Sequence, residues 1–187
     1  MMIIQYAFVF LAFVVDGIIS AIFPIPYAMD TLYFIPCLGI IALVLTIRKL
    51  EKIDAIILSV FAGMYYDFFF TNRFLLYTIA FLILCFMVKQ WGKHMGASII
   101  ESVAISIACI FMLQLLVFGI EKITMNTYVS LSTWVVNRMF LTLIVNTVLA
   151  MVIFFFDRYR DEYLRVKAAK IRRSEHIFLF RSKENKE

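Results

Sequence analysis

The sequence predicts an all-α membrane protein with six transmembrane helices in a single domain. Of its 187 residues, 64% are hydrophobic and only 17% are charged. Soluble domains carry roughly half apolar and about a quarter charged residues, so this chain has too few charges to cover a soluble surface. The composition excludes an ordinary soluble enzyme, a disordered chain and a secreted disulfide scaffold.

Six apolar stretches are candidates for the transmembrane helices. An apolar helix of about 20 residues spans the ~30 Å hydrocarbon layer of a bilayer. The stretches cover residues 3–23, 31–47, 55–70, 74–88, 97–119 and 134–156. The third and fourth are short and lie close together in the chain. They therefore form either a tight helical hairpin or a partly re-entrant pair.

Residues that interrupt helices separate these stretches. Pro24 and Pro26 follow the first stretch, and proline cannot continue a helix. The charged segment 48–52 follows the second stretch, and Gly92 and Gly96 follow the fourth. Each interruption places a turn where the chain has to leave the membrane.

The distribution of lysine and arginine predicts that both termini are cytoplasmic. With the N-terminus inside, fifteen of the eighteen basic residues fall in cytoplasmic segments, and Arg73, Lys122 and Arg138 fall outside. Positive residues favour the cytoplasmic side of a membrane. We therefore divide the chain into a six-helix transmembrane domain, residues 1–156, and a basic cytoplasmic tail, residues 157–187, which we expect to be partly helical.

The tail holds ten basic and six acidic residues. A short basic end after apolar spans is typical of a cytoplasmic anchor rather than of a nucleic-acid site. We predict that seven basic side chains contact anionic lipids: Arg158, Arg160, Arg165, Lys167, Lys170, Arg172 and Arg173. The apolar segment 177–180 has two open interpretations, contact with lipid or a partner, or no specific role.

Charged residues within apolar stretches are candidates for a site, because each one is costly in a membrane unless it has a partner or a task. Asp16, Asp67 and Arg138 all fall in the outer half of the predicted bundle, with Arg73 in the turn nearby. We predict a neutral polar cluster of these residues that fixes which helices are neighbours. An ion or substrate site built from the same groups is the alternative.

The fifth stretch carries Ser98, Ser102 and Ser106 at four-residue intervals. Small residues on one helical face let two backbones approach closely, which drives helix association in lipid. We interpret this face as a helix–helix contact.

Signals of catalysis or of bound metal are missing from the sequence. His94 and His176 have no metal-ligand spacing, and no common catalytic motif occurs. The three cysteines, Cys37, Cys85 and Cys109, each lie in an apolar run, which is typical of small buried residues. We therefore expect neither an enzyme nor a cofactor.

Two adjacent apolar stretches resemble the family of rod shape-determining MreD proteins. The first, residues 63–70, has a glycine followed four residues later by an aspartate, Gly63 and Asp67. After a short turn, the next apolar helix opens with an aromatic residue, here Tyr77. The turn itself departs from the family, because residues 71–74 lack its glycine and small residues.

The first stretch is also similar to Gram-positive members of that family. Asp16, Gly17 and Ser20 lie near its outer end, so the resemblance covers nearly the whole chain. It implies a non-enzymatic component of the cell-wall elongation machinery in the bacterial plasma membrane. Such proteins work with the membrane-anchored protein MreC and, through it, with the polymerase RodA and a class B penicillin-binding protein.

The resemblance also implies a fold like that of the substrate-binding subunits of energy-coupling-factor vitamin transporters. This fold defines the alternative function, a small-molecule-binding subunit of such a transporter. Its ligand pocket would lie near Asp16 and Asp67.

Overall fold

The computed structural model describes residues 2–23, 33–71, 75–92, 96, 98–124 and 129–184, the last fourteen of these by their backbone alone. The described chain is helical and contains no β-strand, which confirms the predicted all-α class. The helices are α1 (Met2–Ile22), α2 (Leu38–Lys49), α3 (Lys52–Tyr66), α4 (Leu76–Trp91), α5 (Ile99–Ile123), α6 (Leu131–Trp134) and α7 (Phe140–Glu184).

Two of these helices are extended by wider, π-helical turns. Asp67–Thr71 continues α3, and Val135–Met139 joins α6 to α7 in one rod. The described chain therefore forms six rods, as the six apolar stretches predict. π-helical turns are often found at functional positions, and each of these two carries a residue of the predicted polar cluster.

Four helices of the described chain are long and apolar enough to cross a membrane: Met2–Ile22, Lys52–Thr71, Ile99–Ile123 and Leu131–Lys170. The other two rods are shorter, with 12 residues in α2 and 16 in α4. These apolar helices are those of a membrane protein. The count of six crossings and the cytoplasmic position of the termini stay predictions.

The second predicted stretch is only partly helical. We expected a helix over 31–47, but α2 begins at Leu38, and residues 33–37 are not helical. Pro36 explains the difference, because proline has no backbone N–H and disfavours helical geometry in the residue before it. Cys37 and Leu38 are both buried, so α2 starts inside the bundle rather than at its edge.

Helix α2 is the centre of the fold. Every residue from Leu38 to Ile47 is buried, and α1, α3, α4, α5 and α7 all pack against it. A helix that is apolar on all sides is stable only where other helices surround it completely. The five neighbouring helices therefore supply the environment that its sequence requires.

Helices α3 and α4 form a tight antiparallel hairpin, the first of the two predicted alternatives. Gly63 of α3 lies against the backbone of α4, where an added Cβ would be 2.5 Å from the Thr78 Cα atom. At the other end of the pair, the Lys89 ammonium donates to the carbonyl oxygen of Leu50. Only a glycine at position 63 permits this approach of the two backbones.

An ionic network joins α2 and α7 at one end of the bundle, which we name the basic end. Lys49 contacts Asp157 and Asp161, and the Arg160 guanidinium lies 2.7 Å from an Asp157 carboxylate oxygen. Arg160 also donates to the Thr46 hydroxyl at 3.0 Å. The part of α7 that follows residue 156 is therefore attached to the central helix, α2.

Arg160 was predicted to contact lipid, and this prediction is wrong. Its side chain is buried, and its guanidinium lies over the ring of Phe8 at 4.6 Å from the centroid. The reason is the position of Asp157, which is also buried and draws the arginine onto the bundle. Of the other predicted lipid contacts, Arg158, Arg165, Lys167 and Lys170 are exposed, and the side chains at positions 172 and 173 lie outside the described residues.

Only part of the predicted serine face of α5 is buried. Ser102 and Ser106 are buried within the bundle, whereas Ser98 is exposed just before the first turn. Ser102 accepts a hydrogen bond of 3.1 Å from Arg48 of α2. The buried part of this face therefore lies where α5 meets the central helix.

Prediction for the hairpin: Gly63→Ala should lower the free energy of unfolding by about 1–3 kcal/mol, because the new methyl group overlaps the Thr78 backbone. Thermal unfolding of the purified protein in detergent, followed by tryptophan fluorescence, measures this change. Gly119→Ala is the matched control, since a Cβ there meets nothing within 4 Å. Equal stability of the two variants would contradict the close approach.

Candidate functional site

Asp16 caps the start of α2 from the neighbouring helix. One of its carboxylate oxygens accepts the N–H of Leu38 at 2.8 Å, and the other accepts the N–H of Gly39 at 2.7 Å. The first N–H groups of a helix have no partner within that helix, and Cys37, at the N-cap position, supplies no side-chain bond. The carboxylate also lies at the positive end of the helix dipole.

Gly39 makes this approach possible. An added Cβ at this position would lie 2.1 Å from a ring carbon of Phe13, which is one turn before Asp16 on α1. The helix that provides the carboxylate thus packs directly on the glycine whose N–H it caps. Sequence analysis did not identify Gly39, although a glycine that follows Pro36 and precedes a long apolar run is a recognisable signal.

Asp67 repeats this arrangement at the start of α4. Its two oxygens accept the N–H of Tyr77 at 2.8 Å and the N–H of Thr78 at 2.9 Å, and the Thr78 hydroxyl donates to it at 2.8 Å. Leu75 holds the N-cap position but has no polar side chain, and its backbone is left-handed, with φ of 61°. The carboxylate therefore supplies the cap that the local sequence lacks.

Polar side chains of α7 hold the segment that leads into α2. The Thr142 hydroxyl accepts the N–H of Ile35 at 3.2 Å, and the Asn146 side chain accepts the N–H of Cys37 at 2.9 Å. The amide group of Asn146 also donates to the carbonyl oxygen of Ile35 at 2.8 Å. A non-helical segment is tolerated at this depth because its backbone groups are bonded to the protein.

Sequence analysis missed Thr142 and Asn146, although the pattern contains a signal. Arg138, Thr142 and Asn146 follow one another at four-residue intervals in an otherwise apolar run. Residues four apart lie on one face of a helix. This spacing would have shown that α7 presents a polar face to the bundle.

The predicted ion pairs of Arg138 with Asp16 and Asp67 are not formed. The guanidinium donates instead to the side-chain oxygen of Gln114 on α5, at 2.9 Å. The two carboxylates are already held by backbone N–H groups, so they do not require a cation. Arg73, the fourth member of the predicted cluster, lies outside the described residues.

The other predicted site residues surround these contacts. Gly17 and Ser20 are partly exposed on α1, and a Cβ at Gly17 would be in ordinary contact with the ring of Phe70. Tyr77 is buried, with its ring 4.4 Å from that of Tyr66 between centroids. A cluster of aromatic rings fills the space between the two capped helix starts: Phe13, Tyr65, Tyr66, Phe70, Tyr77 and Phe81.

We name the six polar residues Asp16, Asp67, Gln114, Arg138, Thr142 and Asn146 the polar layer. Within the described residues, no group of three or more His, Cys, Asp or Glu side chains is placed to hold a metal ion. Each oxygen of the Asp16 and Asp67 carboxylates already accepts a hydrogen bond from a helix start. The geometry of the polar layer therefore suits a structural clamp.

Prediction for the segment before α2: Thr142→Val should lower the free energy of unfolding by about 1–3 kcal/mol, because the buried N–H of Ile35 loses its acceptor. Thr147→Val is the matched control, since its hydroxyl bonds only to the carbonyl oxygen of Leu143 in its own helix. Thermal unfolding of both purified variants measures the difference. A loss as large in the control would mean that the bond to Ile35 has no special role.

Prediction for the caps: in a charge exchange, the double variant Arg138→Asp with Asp16→Arg should be no more stable than Arg138→Asp alone. The exchange places an arginine where α2 needs an acceptor, so it cannot restore the cap. Thermal unfolding and the yield of folded protein measure this outcome. Recovery of stability in the double variant would show instead that Asp16 and Arg138 form a pair.

The sequence is similar to known proteins over most of its length. Residues 1–160 match the family model described as rod shape-determining protein MreD. A relative from Bacillus subtilis (strain 168), named rod shape-determining protein MreD, is 20% identical over 143 residues, which is 76% of this chain and 83% of the relative. No solved structure matches, so the expected likeness to vitamin-transporter subunits stays a prediction. The family match includes every helix except the last part of α7, and the chain belongs to the MreD family of rod shape-determining proteins.

Proposed function

We propose that this protein is a non-enzymatic, multi-pass component of the cell-wall elongation machinery in the bacterial plasma membrane. It maintains cell shape by binding an MreC-like membrane-anchored protein and thereby positioning the peptidoglycan synthases. These are a RodA-like polymerase and its class B penicillin-binding partner. The observation that carries the proposal is the family match over residues 1–160, whose description concerns shape determination.

The construction of the bundle supports a positioning role. Four side chains of the polar layer, Asp16, Asp67, Thr142 and Asn146, bond to the start of α2, the start of α4 or the segment before α2. Each oxygen of the two carboxylates accepts a bond from a helix start. A component that positions partners needs a rigid shape, which such contacts provide. Among the described residues, the alternative vitamin-binding role has no comparable support.

The surface of the bundle offers apolar area to the membrane and to transmembrane partners. Exposed apolar side chains follow one another along α7 at intervals of three or four residues: Phe140, Ile144, Val148, Met151 and Phe155. Such a face is stable against lipid tails or against the helix of another membrane protein. A partner with a single transmembrane helix, like the MreC-like protein we propose, fits a surface of this kind.

The orientation that we propose places the basic end in the cytoplasm. Lysine and arginine residues of this end include Arg48, Lys49, Lys52 and Lys89, whereas the opposite end carries Lys122 and Arg138 within the described chain. This difference follows the preference of positive residues for the cytoplasmic side. The extension of α7 then projects into the cytoplasm.

Depletion of the protein in its own host tests the proposed function. We expect altered cell shape and misplaced wall synthesis, observed by microscopy with a fluorescent D-amino acid that labels new peptidoglycan. A tagged wild-type copy and the Gly119→Ala variant should both restore the shape. The tagged protein should also co-purify with an MreC-like protein.

Two results would contradict the proposal. One is normal shape and normal placement of new wall after depletion. The other is co-purification with an ATPase-bearing module together with loss of vitamin uptake, which would establish the transporter subunit instead.

A further inference from the structure

An open crevice lies at the basic end, away from the polar layer. It has a volume of about 1170 Å³ and separates the first turns of α5 from the part of α7 that follows Phe154. Sites that enclose a drug-sized molecule measure roughly 300–1,000 Å³, so this crevice has room for a molecule at least as large. One wall is built of small residues, among them Gly96, Ser98 and Ser102.

The charged side chains that line the crevice carry a small surplus of positive charge. Arg48, Lys49, Arg158 and Arg165 line it, against Asp157, Asp161 and Glu162. Within the ionic network, Lys49 and Arg160 balance Asp157 and Asp161. Two further arginines of α7, Arg158 and Arg165, line the crevice and are exposed, with one acid, Glu162, between them. Because they are seven residues apart, they lie two turns apart on the same face of the helix. These two arginines therefore offer an anion two exposed positive groups beside the ionic network.

Apolar and aromatic side chains also line the crevice. Ile99, Phe154 and Phe155 line it, and Phe155 belongs to the exposed apolar face of α7. Beyond this face, exposed Tyr159 and Tyr163 follow on α7. Such amphipathic rings are enriched where the hydrocarbon of a bilayer meets its head groups. We therefore expect the crevice to lie at head-group depth and to open onto the lipid-facing surface.

We propose that this crevice is a binding site for one anionic phospholipid. Arg158 and Arg165 bind its phosphate and acidic head group, and its acyl chains lie along Phe155 on the surface that faces the membrane. Basic pockets between transmembrane helices on the cytoplasmic side are suited to anionic head groups. The apolar edge distinguishes a lipid from a soluble anion, because a free phosphate has no group to place there.

The site does not depend on the proposed function, since it uses residues outside the polar layer and requires no protein partner. It also narrows the lipid contacts expected from the sequence. Arg158 and Arg165 act as a pair at one place, whereas Lys167 and Lys170 are exposed without lining the crevice.

The test measures the affinity of the full-length protein for a fluorescent phosphatidylglycerol, in nanodiscs of phosphatidylcholine. The double variant Arg158→Gln with Arg165→Gln should bind roughly 25-fold more weakly, from two contacts worth about fivefold each. The matched control is Lys167→Gln with Lys170→Gln, which removes the same charge from the same helix and should bind like the wild type. Circular dichroism verifies that both variants are folded.

A third variant blocks the crevice without a change of charge. Ser98→Trp fills the space beside α5, and Ser98 makes no side-chain cap bond that the change would remove. We expect this variant to lose phosphatidylglycerol binding as well.

Three results would overturn the proposal. In the first, the control pair weakens binding as much as the crevice pair, so that the attraction is general to the tail. In the second, phosphatidylcholine binds as tightly as phosphatidylglycerol. In the third, soluble glycerol phosphate displaces the lipid at comparable concentration, which would make the crevice a site for a free anion.

Discussion

The start of α2 inside the bundle is the constraint on which the other contacts depend. A helix start buried away from water has N–H groups that must find partners, and an apolar environment provides none by itself. Asp16 satisfies Leu38 and Gly39, and Asn146 satisfies Cys37. Because α2 is buried along its length, the helices that provide these acceptors also form its environment, and the cap and the packing stabilise each other.

The C-terminal end of α2 is also stabilised by polar contacts. Its last residues are Arg48 and Lys49, whose charges suit the negative end of the helix dipole. Lys49 also joins the ionic network that fastens α7, while the hairpin of α3 and α4 repeats the capping arrangement through Asp67. The two carboxylates therefore have the same task in two parts of the bundle, and the charged residues at the basic end determine where α7 leaves it.

The two ends of the bundle are built differently. The end of the bundle that carries the polar layer is fixed by hydrogen bonds to helix starts. The basic end instead combines the ionic network with an open crevice, which Arg158 and Arg165 line. For a protein of the MreD family in the role that we propose, a rigid body would hold partners in register within the membrane. The lipid that we infer would act on α7, the helix that extends furthest from the bundle.

Composition and the lengths of the apolar runs were sufficient to predict an all-α membrane protein and six rods. Charges within those runs marked Asp16, Asp67 and Arg138 as residues that need partners. Such features are local, since each depends only on a residue and its neighbours along the chain. The sequence did not predict the partners of these polar side chains. Asp16 caps a helix start 22 residues away, Arg138 donates to Gln114, and Arg160 is buried rather than exposed to lipid. A charge in an apolar run shows that a partner is needed, but backbone N–H groups are the same at every residue and leave no mark in a sequence. Only the packing of α1 and α7 around α2 decided which of these groups the polar side chains would meet.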